Sequence, residues 1–477
     1  MATTIYNKIF NAIFYESPAP IKRALFYLPL EIKLGGKVFR ETYNFIKATE
    51  YLPKDKINRI QELLLKKILI YATKKVPFYR KLGIKITKHD NALKLIRKFP
   101  IIDKEYIQEH FNQFISKDID SRKVYYTSTG GTSGKQFKFY INKEAFAKEW
   151  AFMITQWERA GYKIGDKIAT FRGVKIKGIK KGIYWQEQPL YNALEMSPFH
   201  LNYNTAKKYI TKLIEWKPAF LHGYPSAITT LAKMIKELNM EDKIPKIKGI
   251  LLTSENIYPW QRKILQQTFK TRVFTWYGMT EKTVLAGECE YSTQYHIFPQ
   301  YSYVEIIDNQ DEHVNPGEEG EIIGTSFLNT IMPFIRYRTG DIAELSAQQH
   351  CKCKRNYPLI TNVKGRWKLE NLVIGKNSLI SLAALNIHTD AFEHCETVQL
   401  YQDTPGKLVI KLKPIPGKFS SKDLVKIKKS FEDRIGDELD IEIDTSNDII
   451  FTPTGKLPFF IQKLDIEMYM KRYLRLP

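Results

Sequence analysis

The sequence predicts an α/β protein with a large N-terminal domain, in which helices flank mixed sheets, and a small C-terminal α+β domain. The chain has 477 residues and 43% hydrophobic side chains, enough to bury the cores of two or more domains. Short β-rich runs, namely KIATF, IKGILLT and RVFTWYG, alternate with helical stretches such as AKKYITKLIEW. Such alternation is typical of sheets flanked by helices.

We place the domain boundary near the segment NVKGRWK, which gives one domain of residues 1–364 and another of residues 365–477. The first begins with a helical segment, residues 1–80, whose stretch 57–78 has helical spacing and ends at a proline. The second contains KLVIKLKPI, SKDLVKIKKSFEDRIG and LDIEIDTSNDIIFT, which predict a strand, a helix and a hairpin. Its length of about 110 residues is normal for a domain.

The charge and the cysteine content narrow the class of protein. Lysine and arginine outnumber aspartate and glutamate by 74 to 51, so the net charge is +23 and acidic partners are favoured. Solvated lysine-rich faces are the alternative reading of that charge. Four cysteines are too few for a disulfide scaffold. There is no apolar run of about 18 residues and no ordered signal peptide, so we expect a soluble, cytoplasmic protein.

The first residues of the chain have a pattern that is typical of a membrane-surface helix. In IYNKIFNAIF, Ile5, Ile9 and Ile13 recur every four residues, and basic residues follow beside aromatic ones in IKRALFYLPLEIK. This pattern fits a helix at the inner membrane surface, which would make the protein peripheral there. A helix that packs on the body of the protein is the alternative.

A loop rich in glycine and hydroxyl groups, TSTGGTSGKQ, occupies residues 127–136 after a strand-like run. A Walker A loop needs a glycine and a serine or threonine at the positions where this loop has Thr129 and Gln136, so a P-loop is disfavoured. No Gly-x-Gly occurs here, which disfavours a dinucleotide turn. Backbone N–H groups, hydroxyls and Lys135 could close on phosphate oxygens, and an ordinary polar surface loop is the alternative.

Four further strings follow this loop in a fixed order: WYGMTE at 276–281, RYRTGD at 336–341, VKGRWK at 363–368 and TPTGK at 452–456. Together with TSTGGTSGK they resemble the ordered core motifs of the adenylate-forming superfamily. The pieces LIYATKKVPFYRK, LHGYPSAI, LTSENIY and AGECEYSTQYHIFPQY are similar to its phenylacetate–CoA ligase-like branch, especially the CapK-type proteins of capsular polysaccharide biosynthesis. The resemblance spans nearly the whole chain.

The resemblance implies that a carboxylate attacks the α-phosphate of ATP, giving an acyl-adenylate and pyrophosphate. A reaction between anions needs cations that neutralise charge and orient the groups. It implies catalytic roles for Lys456, which would reach the carboxylate and the α-phosphate, for Glu281, which would hold Mg²⁺, and for Thr280, near the α-phosphate. The residues implied to bind ATP or AMP are Thr127, Ser128, Thr129, Gly130, Gly131, Thr132, Ser133, Gly134, Lys135, Ser254, Glu255, Tyr277, Gly278, Met279, Asp341 and Arg366.

Among these residues, the resemblance implies that Tyr277 stacks on adenine and that Asp341 binds both ribose hydroxyls, as an acceptor-only carboxylate can. It also implies a hinge at Lys368, about which the small domain would rotate between adenylation and acyl transfer. Tyr224 and Trp276 are candidate lining residues of the acid pocket, and both are equally good core residues. Determinants for CoA are not readable in the sequence.

A second constellation consists of Cys289, His296, Cys351 and Cys353, in the segments ECEYSTQYH and HCKCK. Three thiolates and one imidazole are a normal ligand set for a closed, structural zinc site. About 55 residues separate the two halves, so strands between them would have to bring them together. His350 is a rival ligand, and buried reduced cysteines are the alternative reading.

These observations favour an ATP- and Mg²⁺-dependent ligase that adenylates a carboxylic acid and transfers the acyl group to a thiol such as CoA. A second hypothesis is an enzyme of surface polysaccharide biosynthesis that joins an amino acid or another acid to an amine, a sugar or a carrier without CoA. A third, of another class, is a non-catalytic nucleotide- or RNA-binding protein. TPTGK argues against it, because a binding module needs no catalytic lysine, and no RRM or KH signature indicates a nucleic-acid partner.

Overall fold

The structure is a computed structural model, and it describes most of the chain. The described residues are 20, 27, 34, 36–87, 89–120, 124–128, 137–172, 176, 181–198, 200–201, 203–364, 372–376, 379–381, 390–392, 394–435, 439–446, 448–452, 457–466 and 468–469. The predicted amphipathic segment at residues 5–14, the loop residues 129–136, and Arg366, Lys368 and Lys456 lie outside them. The helices and strands form two compact units, so the α/β prediction is confirmed.

The first unit comprises the described parts of Met1–Asp166, Glu187–Ala193 and Phe274–Val363. Its α-helices are Gly36–Thr49, Lys54–Lys75, Pro77–Lys81, Ala92–Leu95, Lys104–Glu109 and Glu144–Glu158. Its strands are Val124–Ser128, Lys138–Asn142, Val273–Gly278, Leu285–Gly287, Tyr295–Ile297, Ser302–Ile307, Glu319–Ser326, Tyr337–Leu345 and Leu359–Lys364. The predicted helix at 57–78 is confirmed, and it ends before Pro77 because proline cannot continue the ladder of hydrogen bonds.

Seven neighbouring strands give the first unit its core. In spatial order they are Ser302–Ile307, Glu319–Ser326, Tyr337–Leu345, Leu359–Lys364, Tyr295–Ile297, Leu285–Gly287 and Val273–Gly278. Alternate side chains point to one face and bury small and branched residues such as Ala286, Ile297, Ile322 and Ile360. At Gly287 an added Cβ would come within 2.3 Å of the Gln156 side chain, so only glycine allows this contact.

The second unit comprises the described parts of Lys167–Gln186, Leu194–Val273 and Lys364–Pro477. Its α-helices are Tyr203–Trp216, Pro225–Glu237, Pro259–Phe269 and Ser421–Ile435. Its strands are Ile168–Phe171, Ala193–Met196, Phe220–Gly223, Gly249–Leu252, Leu372–Ile374, Leu379–Ser381, Cys395–Gln402, Lys407–Pro414, Asp440–Asp444 and Phe460–Gln462, and strand Trp185–Gln188 is divided between the units.

Two cores form within the second unit. One core contains three parallel strands, Ile168–Phe171, Phe220–Gly223 and Gly249–Leu252. The strands are apolar along most of their length, and the first three helices of the unit pack on them. A second core lies between helix Ser421–Ile435 and a four-stranded sheet. The predicted boundary between residues 364 and 365 stays a prediction, although one cut between the units falls after Val363.

The predicted hairpin at 439–452 is wrong. Asp440–Asp444 is a single strand that runs parallel to Lys407–Pro414. The following residues turn instead to the buried side chain of Gln399, whose amide nitrogen donates to the Ile450 carbonyl at 2.9 Å and whose oxygen accepts from the Ile450 N–H at 3.0 Å. A buried amide that satisfies both backbone groups removes the need for a strand partner.

Candidate active site and metal site

The segment WYGMTE forms the end of a strand and the turn that follows it. Strand Val273–Gly278 pairs antiparallel with Leu285–Gly287, so that Trp276 lies opposite Gly287 and Gly278 opposite Leu285. The turn closes through the Lys282 N–H, which donates to the Met279 carbonyl at 3.1 Å. Lys282 adopts a φ of 57°, in the left-handed region, and its ammonium binds Glu149. This anchored turn carries Thr280 and Glu281.

Glu281 is 5% exposed, although a carboxylate usually lies in water. Its Oε1 accepts a hydrogen bond of 3.1 Å from the hydroxyl of Tyr337, the tyrosine of RYRTGD. Tyr337 is buried and stacks on Phe334 with a centroid distance of 5.3 Å. The motifs WYGMTE and RYRTGD therefore meet at the Glu281 carboxylate. Carboxylate oxygens are ligands that Mg²⁺ prefers, so Glu281 fits this ion.

Tyr277 and Asp341 form a second contact between the same two motifs. The Tyr277 hydroxyl donates to Oδ2 of Asp341 at 2.6 Å. Burial, and then the charge of Asp341, raise the pKa of Tyr277 well above its usual value, so the phenol remains a donor. Gly340 has a φ of 74°, and the Thr339 hydroxyl accepts the Asp341 N–H at 3.0 Å. The turn and the phenol together fix the direction of the Asp341 carboxylate.

The glycine-rich loop connects two strands of a hairpin. Val124–Ser128 pairs antiparallel with Lys138–Asn142, and the last pair joins Ser128 to Lys138. Thr127 lies in the first strand, opposite Phe139. The second strand is fixed to the unit because Asn142 accepts the Thr330 N–H at 2.7 Å. The described residues thus place both ends of the loop in the unit that carries Glu281, Tyr277 and Asp341.

Three of the predicted site residues, Ser254, Glu255 and Tyr224, belong to the second unit. Ser254 has a φ of 69°, and Oε1 of Glu255 accepts the Leu457 N–H at 3.3 Å. Leu457 is the first described residue after TPTGK. Tyr224 is 3% exposed, and the Arg172 guanidinium lies 5.7 Å from its ring centroid. Tyr224 is therefore a buried residue at the end of a parallel strand, where ligands of α/β sheets usually bind.

Two residues beside Tyr224, His222 and Arg172, were not predicted as site residues from the sequence. His222 is buried, and its Nδ1 lies 2.8 Å from the Leu251 carbonyl, while Arg172 Nη1 lies 3.4 Å from its Nε2. Burial, and then the Arg172 charge, lower the pKa of His222 to about 3. A neutral His222 therefore donates from Nδ1 and accepts at Nε2. The signal was a histidine inside the apolar strand FLHG, where a polar side chain needs a partner.

Trp276, the other proposed pocket residue, lies in the first unit. It is partly buried, and its ring centroid lies 6.1 Å from that of Trp157 at an angle of 55°. The indole packs in an aromatic cluster of that unit. Its role as a pocket residue stays a prediction.

The structure brings Cys289, His296, Cys351 and Cys353 together. One ligand atom of each residue lies within 4.8 Å of the other three. Strand register explains this convergence, since His296 pairs with Gly287, two residues before Cys289, and also with Leu359, close after Cys353. His350 is exposed and is not among the four.

Two distances between the ligand atoms are close to those around a tetrahedral ion, and one of the two is slightly shorter. The sulfurs of Cys289 and Cys351 are 3.5 Å apart, and the Cys353 sulfur lies 3.2 Å from His296 Nε2. Zinc–sulfur and zinc–nitrogen bonds of about 2.3 and 2.0 Å produce ligand–ligand distances of roughly 3.4–3.8 Å. The distances also exclude a disulfide, and all four cysteines of the chain are free.

We call the four ligand residues the Cys/His cluster, and the groups around it also favour the binding of a metal ion. The N–H groups of Tyr291 and Ser292 donate to the Cys289 sulfur at 3.3 Å each, which stabilises a thiolate. His296 Nδ1 lies 3.2 Å from the Gln294 carbonyl, so Nε2 is left to bind a metal. The hydrogen bond with Cys289 lowers the pKa of Cys353. The same hydrogen bond raises the pKa of Cys289, against the effect of the N–H donor of Tyr291. The donor set fits Zn²⁺.

Two known proteins are similar to this chain in sequence. No family model matches the sequence. Protein CapK of Staphylococcus aureus is 24% identical over 476 residues, which cover 95% of this chain and 99% of CapK. The phenylacetate-coenzyme A ligase of Thermus thermophilus is 23% identical over 330 residues, which cover 66% of this chain and 72% of that ligase. These relatives support the predicted resemblance to the adenylate-forming superfamily and to its phenylacetate–CoA ligase-like branch.

A solved structure has the same fold as this chain. The 2-hydroxyisobutyryl-CoA ligase in the postadenylation state, in complex with 2-HIB-AMP, superposes with a TM-score of 0.66 at 16% identity. The superposition covers 90% of this chain and 94% of that one. The relatives named as CoA ligases support the prediction that the chain is a ligase.

Proposed function

We propose that this protein activates a carboxylic acid with ATP and then transfers the acyl group to a thiol such as CoA. In the first step a carboxylate oxygen attacks the α-phosphorus, and pyrophosphate leaves. In the second step a thiolate attacks the acyl carbon, and AMP leaves. The observation that carries the proposal is the meeting of WYGMTE and RYRTGD at two contacts, Glu281 with Tyr337 and Tyr277 with Asp341.

Each contact suits a different part of ATP. Asp341, held by Tyr277, would accept hydrogen bonds from the ribose hydroxyls, and the Tyr277 ring would stack on adenine. Thr280 would approach the α-phosphate, and the loop from Thr127 to Lys135 would hold the β- and γ-phosphates through N–H groups and one ammonium. Glu281 would hold Mg²⁺, which supplies positive charge against the phosphates when it is bound.

Lys456 would supply the catalytic cation. A lysine directed at the attacking carboxylate and the α-phosphate stabilises charge as it shifts in the transition state. The contact between the Leu457 N–H and Glu255 supports this role, since it anchors the residue next to Lys456 at a second predicted site segment. Rotation about Lys368 would then remove Lys456 for the acyl transfer.

We propose Zn²⁺ for the Cys/His cluster and assign it a structural role. Four protein ligands leave no open position, which a catalytic zinc needs. Thiols stay reduced in the cytoplasm, and ATP is consumed there, so we propose a cytoplasmic location. Within the described residues no helix is long and apolar enough to cross a membrane.

The decisive experiment is ATP–pyrophosphate exchange screened over aryl, fatty, amino and uronic acids. We expect exchange that depends on one class of acid and on Mg²⁺. A second assay follows the loss of free thiol when CoA is added. Exchange without any acid preference, or none at all with intact protein, would contradict acid activation.

A second function is favoured by one observation. The similarity to CapK covers 95% of this chain, whereas the similarity to the Thermus ligase covers 66% of it. The second function that we propose joins the acid to an amine or a sugar rather than to CoA. The two functions share the exchange reaction and differ in the acceptor, so product analysis by mass spectrometry with CoA, amino sugars or amines separates them.

A further inference from the structure

The positive charge of this chain is concentrated in one short region. Between Lys54 and Lys98 there are 14 lysines and arginines and three acidic residues. This region therefore holds 11 of the 23 excess positive charges in less than a tenth of the chain. Residues 365–477, in contrast, contain 17 basic and 16 acidic side chains. A uniformly lysine-rich composition does not account for this distribution.

The longest element of the region, helix Lys54–Lys75, packs on the first unit along one side. Its buried residues recur at intervals of three and four, as an inward helical face requires. They are Ile57, Gln61, Leu65, Ile68, Leu69 and Ala72. Gln61 fixes the orientation, because its Nε2 donates to the Ser302 carbonyl at 2.9 Å.

The opposite side of the same helix is basic. At 100° per residue, the face turned away from the buried stripe contains five cations, two aliphatic residues and no acid. These residues, the outer face, are Lys56, Arg59, Leu63, Lys66, Lys67, Ile70 and Lys74. Leu63 is 60% exposed at its centre. Glu62 lies to one side and accepts the Ala92 N–H at 3.1 Å, so it is directed at the protein.

Most of these cations have no acidic partner among the described residues. Within the part of the chain that the structure describes, Lys56, Arg59, Lys67 and Lys74 form no ion pair. Lys75, at the edge, does pair with Asp118 at 2.8 Å. Unpaired like charges on one face repel one another, and an external anionic surface relieves that repulsion.

We propose that the outer face of helix Lys54–Lys75 docks on an anionic lipid bilayer. Lysine and arginine head groups would contact lipid phosphates, while their aliphatic stems lie along the interface. Leu63, exposed among them, would enter the boundary of the acyl chains, as apolar residues of interfacial helices do. A nucleic acid would use the cations and gain little from Leu63, so this side chain favours lipid.

The test uses the full-length protein and vesicles of phosphatidylcholine, alone or with one third phosphatidylglycerol, in a co-sedimentation assay. We expect partition onto the anionic vesicles at least about tenfold stronger than onto the neutral ones, and weaker at high salt. Lys67→Gln with Lys74→Gln should reduce it by about tenfold or more, since each surface cation strengthens binding to anionic lipid. Glutamine forms helices well, so the helix is retained.

The matched control is Lys243→Gln with Lys246→Gln, which removes the same charge at exposed positions of the second unit. It should bind nearly as wild type, and Leu63→Gln should weaken binding with no change of charge. Equal partition onto both vesicles, or unchanged binding in the outer-face variant, would overturn the proposal. A Leu63→Gln variant with undiminished vesicle binding, together with tight binding to RNA, would assign the face to nucleic acid instead.

Discussion

The hydroxyl of Tyr277 donates a hydrogen bond of 2.6 Å to the carboxylate of Asp341, which lies 64 residues further along the chain. This bond joins the motifs WYGMTE and RYRTGD. Asp341 is thereby oriented before any nucleotide binds. A carboxylate that is already directed loses less conformational freedom when it binds the ribose. The bond thus has a consequence for ATP affinity that substitution can measure.

We expect Tyr277→Phe to raise the KM for ATP about tenfold, because a hydrogen bond to a charged group contributes roughly 1.5–3 kcal/mol. The kcat should change less. Steady-state pyrophosphate release measures both constants. Tyr43→Phe is the matched control, because Tyr43 also donates to a carboxylate, that of Glu158, outside the motifs. An equal effect of both substitutions on KM would argue against the role of Asp341.

Replacement of the catalytic lysine is the second test. Lys456→Ala should lower adenylate formation by roughly a hundredfold or more, with little effect on ATP binding, because a charge directed at the transition state is lost. Lys463→Ala, at an exposed position nearby in the sequence, should keep its activity. ATP–pyrophosphate exchange and a nucleotide-binding assay give the two readouts. Near-normal exchange in the Lys456 variant would refute its assignment.

The third prediction concerns the Cys/His cluster. Elemental analysis should find about one zinc per chain, and Cys353→Ser should lose the metal and melt several degrees lower, since a structural zinc contributes to folding. Cys395→Ala also removes a buried cysteine, but one outside the cluster, and should retain the zinc. Metal-free wild-type protein with the same melting temperature as Cys353→Ser would indicate buried thiols only.

The fourth prediction concerns the loop that joins Ser128 to Lys138. Its N–H groups and Lys135 gain an anion when the β- and γ-phosphates bind, so hydrogen exchange over residues 127–136 should slow with ATP and Mg²⁺. AMP lacks these phosphates and should protect the loop much less. Mass spectrometry of peptides from this segment measures the difference. Equal protection by both nucleotides would place the loop elsewhere on ATP.

His222 provides a prediction on pH. Its pKa is about 3 in the folded protein, against roughly 6.5 in an unfolded chain. Below pH 6.5 the unfolded chain therefore binds a proton that the folded chain does not, and the free energy of unfolding falls by roughly 1.4 kcal/mol per pH unit down to about pH 3. His222→Asn keeps a donor for the Leu251 carbonyl and should flatten this dependence.

Urea unfolding at several values between pH 6 and 4 tests the His222 prediction. His350→Asn, at an exposed position, controls for the loss of a histidine. The two variants should differ in the slope of the free energy of unfolding against pH. Parallel slopes would mean that His222 already titrates normally in the folded state.

Much of the local structure follows from the sequence alone. Helix Lys54–Lys75 and strand Val273–Gly278 were predicted because the period of their apolar residues is a short-range property. The order of the motifs indicated the resemblance to the superfamily in the same way. Even the ligands of the Cys/His cluster could be named, since few side chains bind zinc and these four are the right kinds.

Only the tertiary structure decided which of these segments meet. Cys289 and Cys351 are 62 residues apart, and their 3.5 Å contact results from the register of strand Tyr295–Ile297 with two neighbours. Strand Asp440–Asp444 pairs with Lys407–Pro414 and forms no hairpin with the residues after it, because the buried side chain of Gln399 satisfies the backbone of Ile450. Periodicity reports which residues are apolar, whereas the choice of a distant partner depends on packing that no local window contains.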